Sequence, residues 1–351
     1  MPVSSRAASR RRSARTTGVV ALAAAILAAL FAAGGLTAPP AHADGEAVLD
    51  PAVSRVFGSD RYDLASKIAQ RTNPSGSGVV YVASGESFAD ALSAGPAAAV
   101  QGAALLLVPS DSLPSVVRTE LAALNPHRVV VVGGALSVTE ATVAQLRATV
   151  PHAAVERMSG ADRYEVSRVV VADAFRLTPA VYLATGAGFA DALTAGAVAA
   201  NNGSPVVLID GAGAVLDSGT RGLIASLASR DVVLAGGTGS ISAGIEHSLP
   251  TGTTGRRVGG ADRYEVSVNL NGLNTADFDT VYLATGSTFP DALAGGVLAG
   301  IGHHPLYVVP SDCVPRGALA QMTTHGTRNV VVLGGTASLG PRVEALTPCT
   351  W

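Results

Sequence analysis

Short aliphatic runs alternate along the chain with amphipathic stretches. In the first third of the chain after position 53 the runs are Val79 to Ala83, Ala104 to Val108 and Arg128 to Val132. Continuous aliphatic runs, as opposed to polar–apolar alternation, predict strands buried on both faces of a parallel sheet. Helical stretches lie between them, including an Ala-rich one before position 101 and another at Ser115 to Leu124. The pattern predicts an α/β fold, with helices covering a small parallel sheet.

This pattern occurs three times along the chain. Three sequence elements recur in the same order and at nearly constant spacing. The element Arg-x-x-Gly-x-Asp-Arg-Tyr starts at Arg55, Arg157 and Arg257, with spacings of 102 and 100 residues. The element Gly-x-x-Phe-Ala/Pro-Asp-Ala-Leu starts at Gly85, Gly186 and Gly286. An aliphatic run then ends in a glycine pair, at Gly133-Gly134, Gly236-Gly237 and Gly334-Gly335. A fixed long period is typical of tandem copies of one unit. We therefore predict three Rossmann-like modules, at residues 53–153, 154–254 and 255–351.

Helix starts explain most of the repeated polar residues. Asp60, Asp162 and Asp262 each precede another acid by three residues, the spacing of a helix cap and its partner. Asp90, Asp191 and Asp291 follow a strand at the start of a helix, where negative charge interacts well with the helix dipole. After the glycine pairs, we expect the last helices to be capped by Ser137, Ser240 and Ser338. Contact with a ligand is the second interpretation of the aspartates.

Folding explains the repeated arginines less well. Only 14% of residues are charged, yet six arginines recur at matching positions: Arg55, Arg61, Arg157, Arg163, Arg257 and Arg263. Arginine is suited to bidentate contact with carboxylate or phosphate, so these residues predict either an anion site or ion pairs between modules. Parallel sheets bind ligands beyond the carboxyl ends of their strands, where the glycine-rich loops lie. The sequence has no full dinucleotide or P-loop fingerprint.

The amino terminus predicts export. Residues 1–43 hold five arginines and no acid, followed by an apolar run from Gly18 to Ala33 and the small-x-small pattern Ala41-His42-Ala43. These features are typical of a cleaved signal peptide, and the alternative is a retained membrane anchor. Arg10-Arg11-Arg12 leaves the export route open between the general and the twin-arginine pathways. Cleavage would leave 19 basic and 26 acidic residues, and no later apolar stretch has spanning length without Gly or Pro.

The two cysteines fit an exported protein. Cys313 and Cys349 both lie near the end of the chain, and disulfides persist outside the cell, so we predict that they pair. Two free buried thiols are the alternative. Neither cysteine is accompanied by a histidine motif, which argues against a catalytic role.

The two repeated motifs together resemble the cell wall-binding repeat 2 (CWB2) family of Gram-positive surface proteins, over residues 53 to 351. The resemblance implies Rossmann-like or Toprim-like modules in a pseudo-threefold arrangement. It also implies non-covalent attachment to an anionic wall polymer in grooves between modules, and a protein secreted to the cell wall or cell surface. By matching positions, the candidate ligand-binding residues are Arg55, Arg61, Asp90, Arg157, Arg163, Asp191, Arg257, Arg263 and Asp291.

The resemblance leaves alternatives open. Many family members carry a separate enzyme or adhesin domain, for which we expect no residues to remain here, so the protein is either an anchor alone or a regulator of a wall amidase. A carbohydrate- or nucleotide-processing enzyme on a Rossmann-like scaffold is the third hypothesis. The six histidines after position 43 form no zinc motif, and the adjacent pair His303-His304 has no counterpart in the other copies.

Three equal copies favour multivalent binding over catalysis. We predict no metal or cofactor, no nucleic-acid partner and, after signal cleavage, no membrane contact. The low content of charged residues and the 48% of hydrophobic ones exclude a disordered or nucleic-acid-coating chain. An anionic polymer repels a net negative chain at long range, so the attraction has to come from local arginines. We therefore expect binding to weaken as the salt concentration rises.

Overall fold

The computed structural model describes residues 49–274 and 276–351, and the predicted signal peptide lies outside these residues. Strands and helices alternate along the described chain. The strands are β1 Ala52–Val56, β2 Val79–Ser84, β3 Ala104–Val108, β4 Arg128–Val132, β5 Ala154–Met158, β6 Ala180–Thr185, β7 Val206–Ile209, β8 Asp231–Ala235, β9 Thr254–Val258, β10 Thr280–Thr285, β11 Leu306–Val309 and β12 Asn329–Leu333. The helices are α1 Arg61–Thr72, α2 Phe88–Val100, α3 Ser115–Leu124, α4 Glu140–Thr149, α5 Arg163–Ala174, α6 Ala190–Asn201, α7 Ser218–Ser226, α8 Ala243–His247, α9 Arg263–Asn271, α10 Pro290–Gly302, α11 Arg316–His325 and α12 Pro341–Glu344.

The strands form three parallel sheets of four strands each, which confirms the predicted fold class. The sheet orders are β3-β2-β4-β5, β7-β6-β8-β9 and β11-β10-β12-β1. Each sheet therefore takes three strands from one sequence repeat and its fourth from the start of another. In the third sheet this strand is β1, whose Val56 lies opposite Leu333 of β12. The first and third repeats are thus joined in one sheet, and the three modules form a closed arrangement. The repeat boundaries given above stay a prediction.

Three central helices, α2, α6 and α10, pack on one another where the modules meet. Their sequences are rich in Ala and Gly, which lets the backbones approach closely. A Cβ atom added at Gly300 of α10 would lie 2.6 Å from the Cβ of Ala200 and 2.8 Å from that of Ala99. The largest buried cluster accordingly contains residues of all three repeats, while smaller clusters lie on the other faces of the first and third sheets. The modules therefore share one core.

The fourth strand of each sheet is not evident in the sequence. Strands β1, β5 and β9 read Ala-Val-Ser-Arg-Val, Ala-Val-Glu-Arg-Met and Thr-Gly-Arg-Arg-Val, and all but the last residue of each is at least partly exposed. They are edge strands, which tolerate polar and charged residues. The aliphatic pattern identifies only strands that are covered on both faces.

Most helix starts follow the sequence, with one correction. Asp60, Asp162 and Asp262 are the N-caps of α1, α5 and α9, and each carboxylate accepts two backbone N–H bonds, as predicted. The expectation that Ser137, Ser240 and Ser338 cap the next helices is wrong. The N-cap residues of α4, α8 and α12 lie two positions later, at Thr139, Ser242 and Gly340, because a tight turn at the glycine pair precedes each helix.

Cys313 and Cys349 form a disulfide, as predicted, with their Cα atoms 5.0 Å apart. Cys349 N–H also donates to the Val314 carbonyl oxygen at 3.0 Å, and Arg316 Nε donates to the carbonyl oxygen of Cys349 at 3.1 Å. The bridge closes a loop spanning 36 positions, for which chain entropy gives a stabilisation of about 3 to 4 kcal/mol. It fixes the last residues of the described chain to the third module. Within the described ranges, no helix is both long and apolar enough to cross a lipid bilayer.

Candidate functional site

Three phenylalanine rings meet where the central helices begin. Phe88 starts α2, and Phe189 and Phe289 are the N-cap residues of α6 and α10. The ring centroids are 5.7 to 5.9 Å apart, and each ring is half-buried. Edge-to-face and tilted packing at this distance is favourable for aromatic rings. The three rings mark the pseudo-threefold axis of the molecule.

An arginine from the following repeat lies over each ring. The guanidinium carbons of Arg163, Arg263 and Arg61 are 5.7, 5.7 and 5.9 Å from the centroids of Phe88, Phe189 and Phe289, respectively. Such stacking contributes about 0.5 to 1 kcal/mol at an exposed position. We call these places seam 1 (Phe88, Asp90, Arg163), seam 2 (Phe189, Asp191, Arg263) and seam 3 (Phe289, Asp291, Arg61). Because Arg61 belongs to the first repeat, seam 3 also closes the ring of modules.

The seam arginines keep most of their hydrogen-bonding capacity. Nη1 of Arg61 donates to the Gly85 carbonyl oxygen at 2.5 Å, and the same bonds join Arg163 to Gly186 and Arg263 to Gly286 at 2.7 Å. A guanidinium carries five N–H donors. Within the part of the chain that the structure describes, the remaining donors of these three exposed residues have no hydrogen-bond partner. Each arginine is therefore held in place by its own glycine loop and is still free to bind an anion.

The other three repeated arginines are engaged within the protein. Arg55 Nε donates to Glu344 at 2.7 Å, Nη1 to the carbonyl of Gly334 at 2.7 Å, and Nη2 to that of Leu339 at 2.9 Å. Arg157 and Arg257 make equivalent bonds to the glycine-pair loop and to Glu140 and Glu246. Their side chains are only 18% and 16% exposed, and that of Arg55 10%. These residues hold the glycine-pair loops against the edge strands.

A carboxylate lies in the wall of each seam, packed against the first glycine of the glycine pair. Asp90 is 6% exposed and Asp191 and Asp291 are half-buried, all in the first turn of a central helix. Burial raises the pKa of all three carboxyls; hydrogen bonds from Ser137, Ser240 and Ser338 and the charge of the seam arginine oppose this shift. Folding raises the pKa of these carboxyls, so the folded protein favours their protonated form. They stabilise the fold at pH values below their ordinary pKa, and this contribution is lost as the pH rises through the pKa of the folded state.

The first glycine of each pair makes room for that carboxylate. Gly133 has φ of +108°, a left-handed conformation, and a methyl group added there would overlap the Asp90 carboxylate. Gly236 and Gly334 have φ of +120° and +95° and face Asp191 and Asp291 in the same way. The second glycine of each pair has open space around it. The first glycine is therefore required for both backbone geometry and packing.

Open grooves lie at seams 1 and 2. The groove at seam 1 has a volume of about 520 Å³ and is lined by Asp90, Gly134, Ser137 and Arg163, among others. The groove at seam 2 has a volume of about 670 Å³ and is lined by both Phe88 and Phe189, together with Asp191 and Arg263. Within the described chain, the residues at the starts of α2, α6 and α10 provide no side-chain cap, so backbone N–H groups face the same region. Cationic, amide and hydroxyl groups together are suited to an anionic, hydroxylated ligand.

The structure therefore divides the nine candidate residues into two sets. It brings Arg61, Arg163, Arg263, Asp90, Asp191 and Asp291 together at the seams and places the other three arginines behind the loops. The sequence interpretation missed the three phenylalanines, although Phe recurs in each copy of the second motif. It also gave the serines the wrong role, because their hydroxyl groups bond to the seam carboxylates and do not cap helices.

Metal-ligating residues do not cluster in the described ranges, where no group of three His, Cys, Asp or Glu could hold an ion. His303 ends α10 in a left-handed conformation, and His304 Nδ1 lies 3.0 Å from the Asp277 carbonyl oxygen. The histidine pair is thus part of the loop after α10.

Three repeated seams with the same cation, aromatic ring and carboxylate define a binding protein built from repeats. The sequence pattern of the cell wall binding domain 2 (CWB2) family matches residues 55–143, 157–246 and 257–344, and the chain belongs to this family. Its three repeats are cell-wall-binding modules, which places its action at the cell surface.

Known proteins of this kind are similar to most of the chain. N-acetylmuramoyl-L-alanine amidase LytC of Bacillus subtilis (strain 168) is 31% identical over 297 residues, and the amidase enhancer of the same organism is 27% identical over 301 residues. These matches cover 85% and 86% of this chain but only 58% and 40% of the two relatives. Among solved structures, Cwp6 from Clostridium difficile has a TM-score of 0.75 at 25% identity, covering 87% of this chain and 50% of that chain. Cwp8 from the same organism has the same fold, with a TM-score of 0.74 at 22% identity over 85% of this chain and 51% of its own.

Proposed function

We propose that the protein attaches non-covalently to an anionic polymer of the cell wall, through the three seams, after export from the cell. The observation that carries this proposal is the set of three exposed arginines, each fixed at a seam with most of its N–H donors free. Arg61, Arg163 and Arg263 are the anion-binding residues in this proposal. It assigns no catalytic residue to the chain.

Each seam supplies complementary groups for a sugar-containing anionic unit. The guanidinium binds phosphate or carboxylate through two parallel hydrogen bonds, and hydrogen bonds to charged partners contribute about 1.5 to 3 kcal/mol each. The seam carboxylate and the serine beside it accept hydrogen bonds from hydroxyl groups of the sugar. Arg55, Arg157 and Arg257 contribute indirectly, since they position the glycine-pair loop that forms one wall of the groove.

Three seams in one closed ring of modules favour attachment to a polymer over binding of a single small molecule. A second unit of the same polymer binds at a high effective concentration once the first is held, so the avidity exceeds the affinity of one seam. The negative charge of the exported chain opposes the approach of the polymer at long range. The attraction must therefore come from the seam arginines, within a Debye length of about 8 Å at physiological ionic strength.

This function predicts that retention on purified walls depends on the polymer and on salt. We expect the protein to sediment with walls of the producing organism and to stay in solution after acid extraction has removed the anionic polymer. Raising sodium chloride from 0.05 to about 0.5 M should release bound protein as the arginine contacts are screened. Sedimentation followed by quantitative gel analysis measures both effects, with extraction buffer at neutral pH as the control. Equal retention on extracted and intact walls would contradict the proposed ligand.

The similarity to an amidase and an amidase enhancer supports a second candidate, in which the wall-bound protein stimulates a separate wall amidase. In that case, adding the protein to walls together with an amidase should speed the loss of turbidity, and the protein alone should not. An unchanged rate at concentrations that saturate the walls would argue against this role and leave wall attachment in place.

A further inference from the structure

The three seams share their arginine, phenylalanine and carboxylate but differ on the groove rim, and one rim position varies most in side-chain size. This position is the residue before the serine of the Gly-Gly-x-x-Ser loop, and we call it the rim residue. It is Leu136 at seam 1, Gly239 at seam 2 and Ala337 at seam 3. Leu136 and Gly239 both line the grooves described above.

Seams 1 and 2 differ in the size and polarity of their rim residues and in groove volume. Leu136 is 97% exposed, so its whole side chain extends into solvent at the mouth of seam 1. The groove there is smaller than the groove at seam 2, about 520 Å³ against about 670 Å³. The residue before it is Ala135 at seam 1 but a threonine at the others, Thr238 and Thr336. Seam 1 thus presents an apolar rim, while seam 2 presents a hydroxyl group and bare backbone.

The fold does not require glycine at position 239. Its backbone lies outside the left-handed region, and a Cβ atom added there would meet no other atom within 4 Å. By contrast, Gly236 in the same loop has φ of +120°. Backbone geometry therefore does not explain the absence of a side chain at position 239, and this absence leaves the groove rim open.

We propose that the seams bind the polymer unequally, that seam 2 is the principal site, and that the rim residue determines this order. This inference rests on the proposed function. The open mouth of seam 2 admits a polymer unit with a bulky, hydroxyl-rich sugar. Leu136 restricts seam 1 to narrower units, so seam 1 contributes mainly to avidity.

The test uses short oligomers of the acid-extracted wall polymer, titrated into the protein by isothermal titration calorimetry. Arg263→Ala should lower the affinity at least about tenfold, and Arg163→Ala should have a smaller effect. Gly239→Leu should lower the affinity to a similar degree as Arg263→Ala, with Gly239→Ala intermediate. Thermal unfolding of each variant checks that the fold is retained, and Gly239→Ala gives the smaller steric change should the leucine variant unfold early.

The reciprocal exchange is the decisive variant. In Leu136→Gly/Gly239→Leu the open mouth moves to seam 1, so Arg163→Ala should now have the larger effect and Arg263→Ala the smaller one. Equal losses from the single arginine variants, together with no effect of Gly239→Leu, would overturn the inequality and leave the proposed function intact. A larger loss from Arg163→Ala in the otherwise unchanged protein would also overturn it. No loss of affinity from any of Arg61→Ala, Arg163→Ala and Arg263→Ala would overturn the proposed function itself.

Discussion

Replacing Arg61, Arg163 and Arg263 together with alanine is expected to abolish retention on cell walls while the protein remains folded. Each replacement removes a cation from a seam, where the free N–H donors are the proposed anion contacts. If each contact contributes about 1.5 to 3 kcal/mol, the loss over three seams exceeds a hundredfold in affinity. The fold loses one hydrogen bond to a glycine carbonyl and one ring contact per site, a cost of about 1 to 2 kcal/mol each. Wall sedimentation and circular dichroism measure the two effects.

The matched control removes three arginines that lie away from the seams. Arg118, Arg221 and Arg342 are exposed, one in each repeat, and their replacement by alanine changes the net charge by the same amount. This variant should sediment with walls like the unmodified protein. If the seam variant folds and sediments equally well, the seam arginines are structural and the anion site lies elsewhere. If both triple variants lose binding, the effect is one of overall charge.

Replacing Gly133 with alanine should destabilise the protein strongly, and replacing its neighbour Gly134 should not. At Gly133 the added methyl group would occupy a left-handed backbone position and overlap the Asp90 carboxylate. Backbone strain alone costs about 1 to 3 kcal/mol, and displacing the carboxylate adds to it. At Gly134 the added group has open space and no positive φ, so we expect a change within about 0.5 kcal/mol. Urea unfolding of the two variants gives the comparison.

A double-mutant cycle identifies the cause of the Gly133→Ala effect. If the overlap with Asp90 dominates, the second change Asp90→Ala should recover part of the stability lost in Gly133→Ala, with a coupling of about 0.5 to 3 kcal/mol. Strict additivity of the two changes would mean that backbone strain dominates. Equal stability of the Gly133→Ala and Gly134→Ala variants would contradict the described loop geometry altogether.

The sequence predicts those parts of the fold that local chemistry determines. Strand β4, for example, is an unbroken aliphatic run because both of its faces are covered, and Asp60 caps α1 because a carboxylate can bond to nearby amides wherever a helix begins. Strand β5 could not be found in this way, since it lies at the edge of its sheet and the charged residues Glu156 and Arg157 interrupt its apolar residues. Its position beside β4 of the preceding repeat depends on tertiary contacts.

The candidate site shows the same limit. Arg55 and Arg61 recur with equal regularity, so periodicity cannot separate the residue that holds a loop from the one that faces solvent. The difference arises from Gly334, Leu339 and Glu344, nearly 300 positions away, which occupy the donors of Arg55. The phenylalanine cluster also depends on the threefold arrangement, because the three rings lie in separate repeats and meet only on the axis.

The pairing of β1 with β12 sets an order for assembly. A ribosome makes β1 first, but its partner, from Asn329 to Leu333, is among the last segments to be made. The sheets of the first and second repeats can form from shorter stretches of chain, whereas the third must bring together segments separated by almost the whole molecule, which is slow because of the entropy of closing so long a loop. Seam 3, where Arg61 meets Phe289, is therefore the last of the three to be completed, and a chain that is interrupted before β12 retains an unpaired first strand.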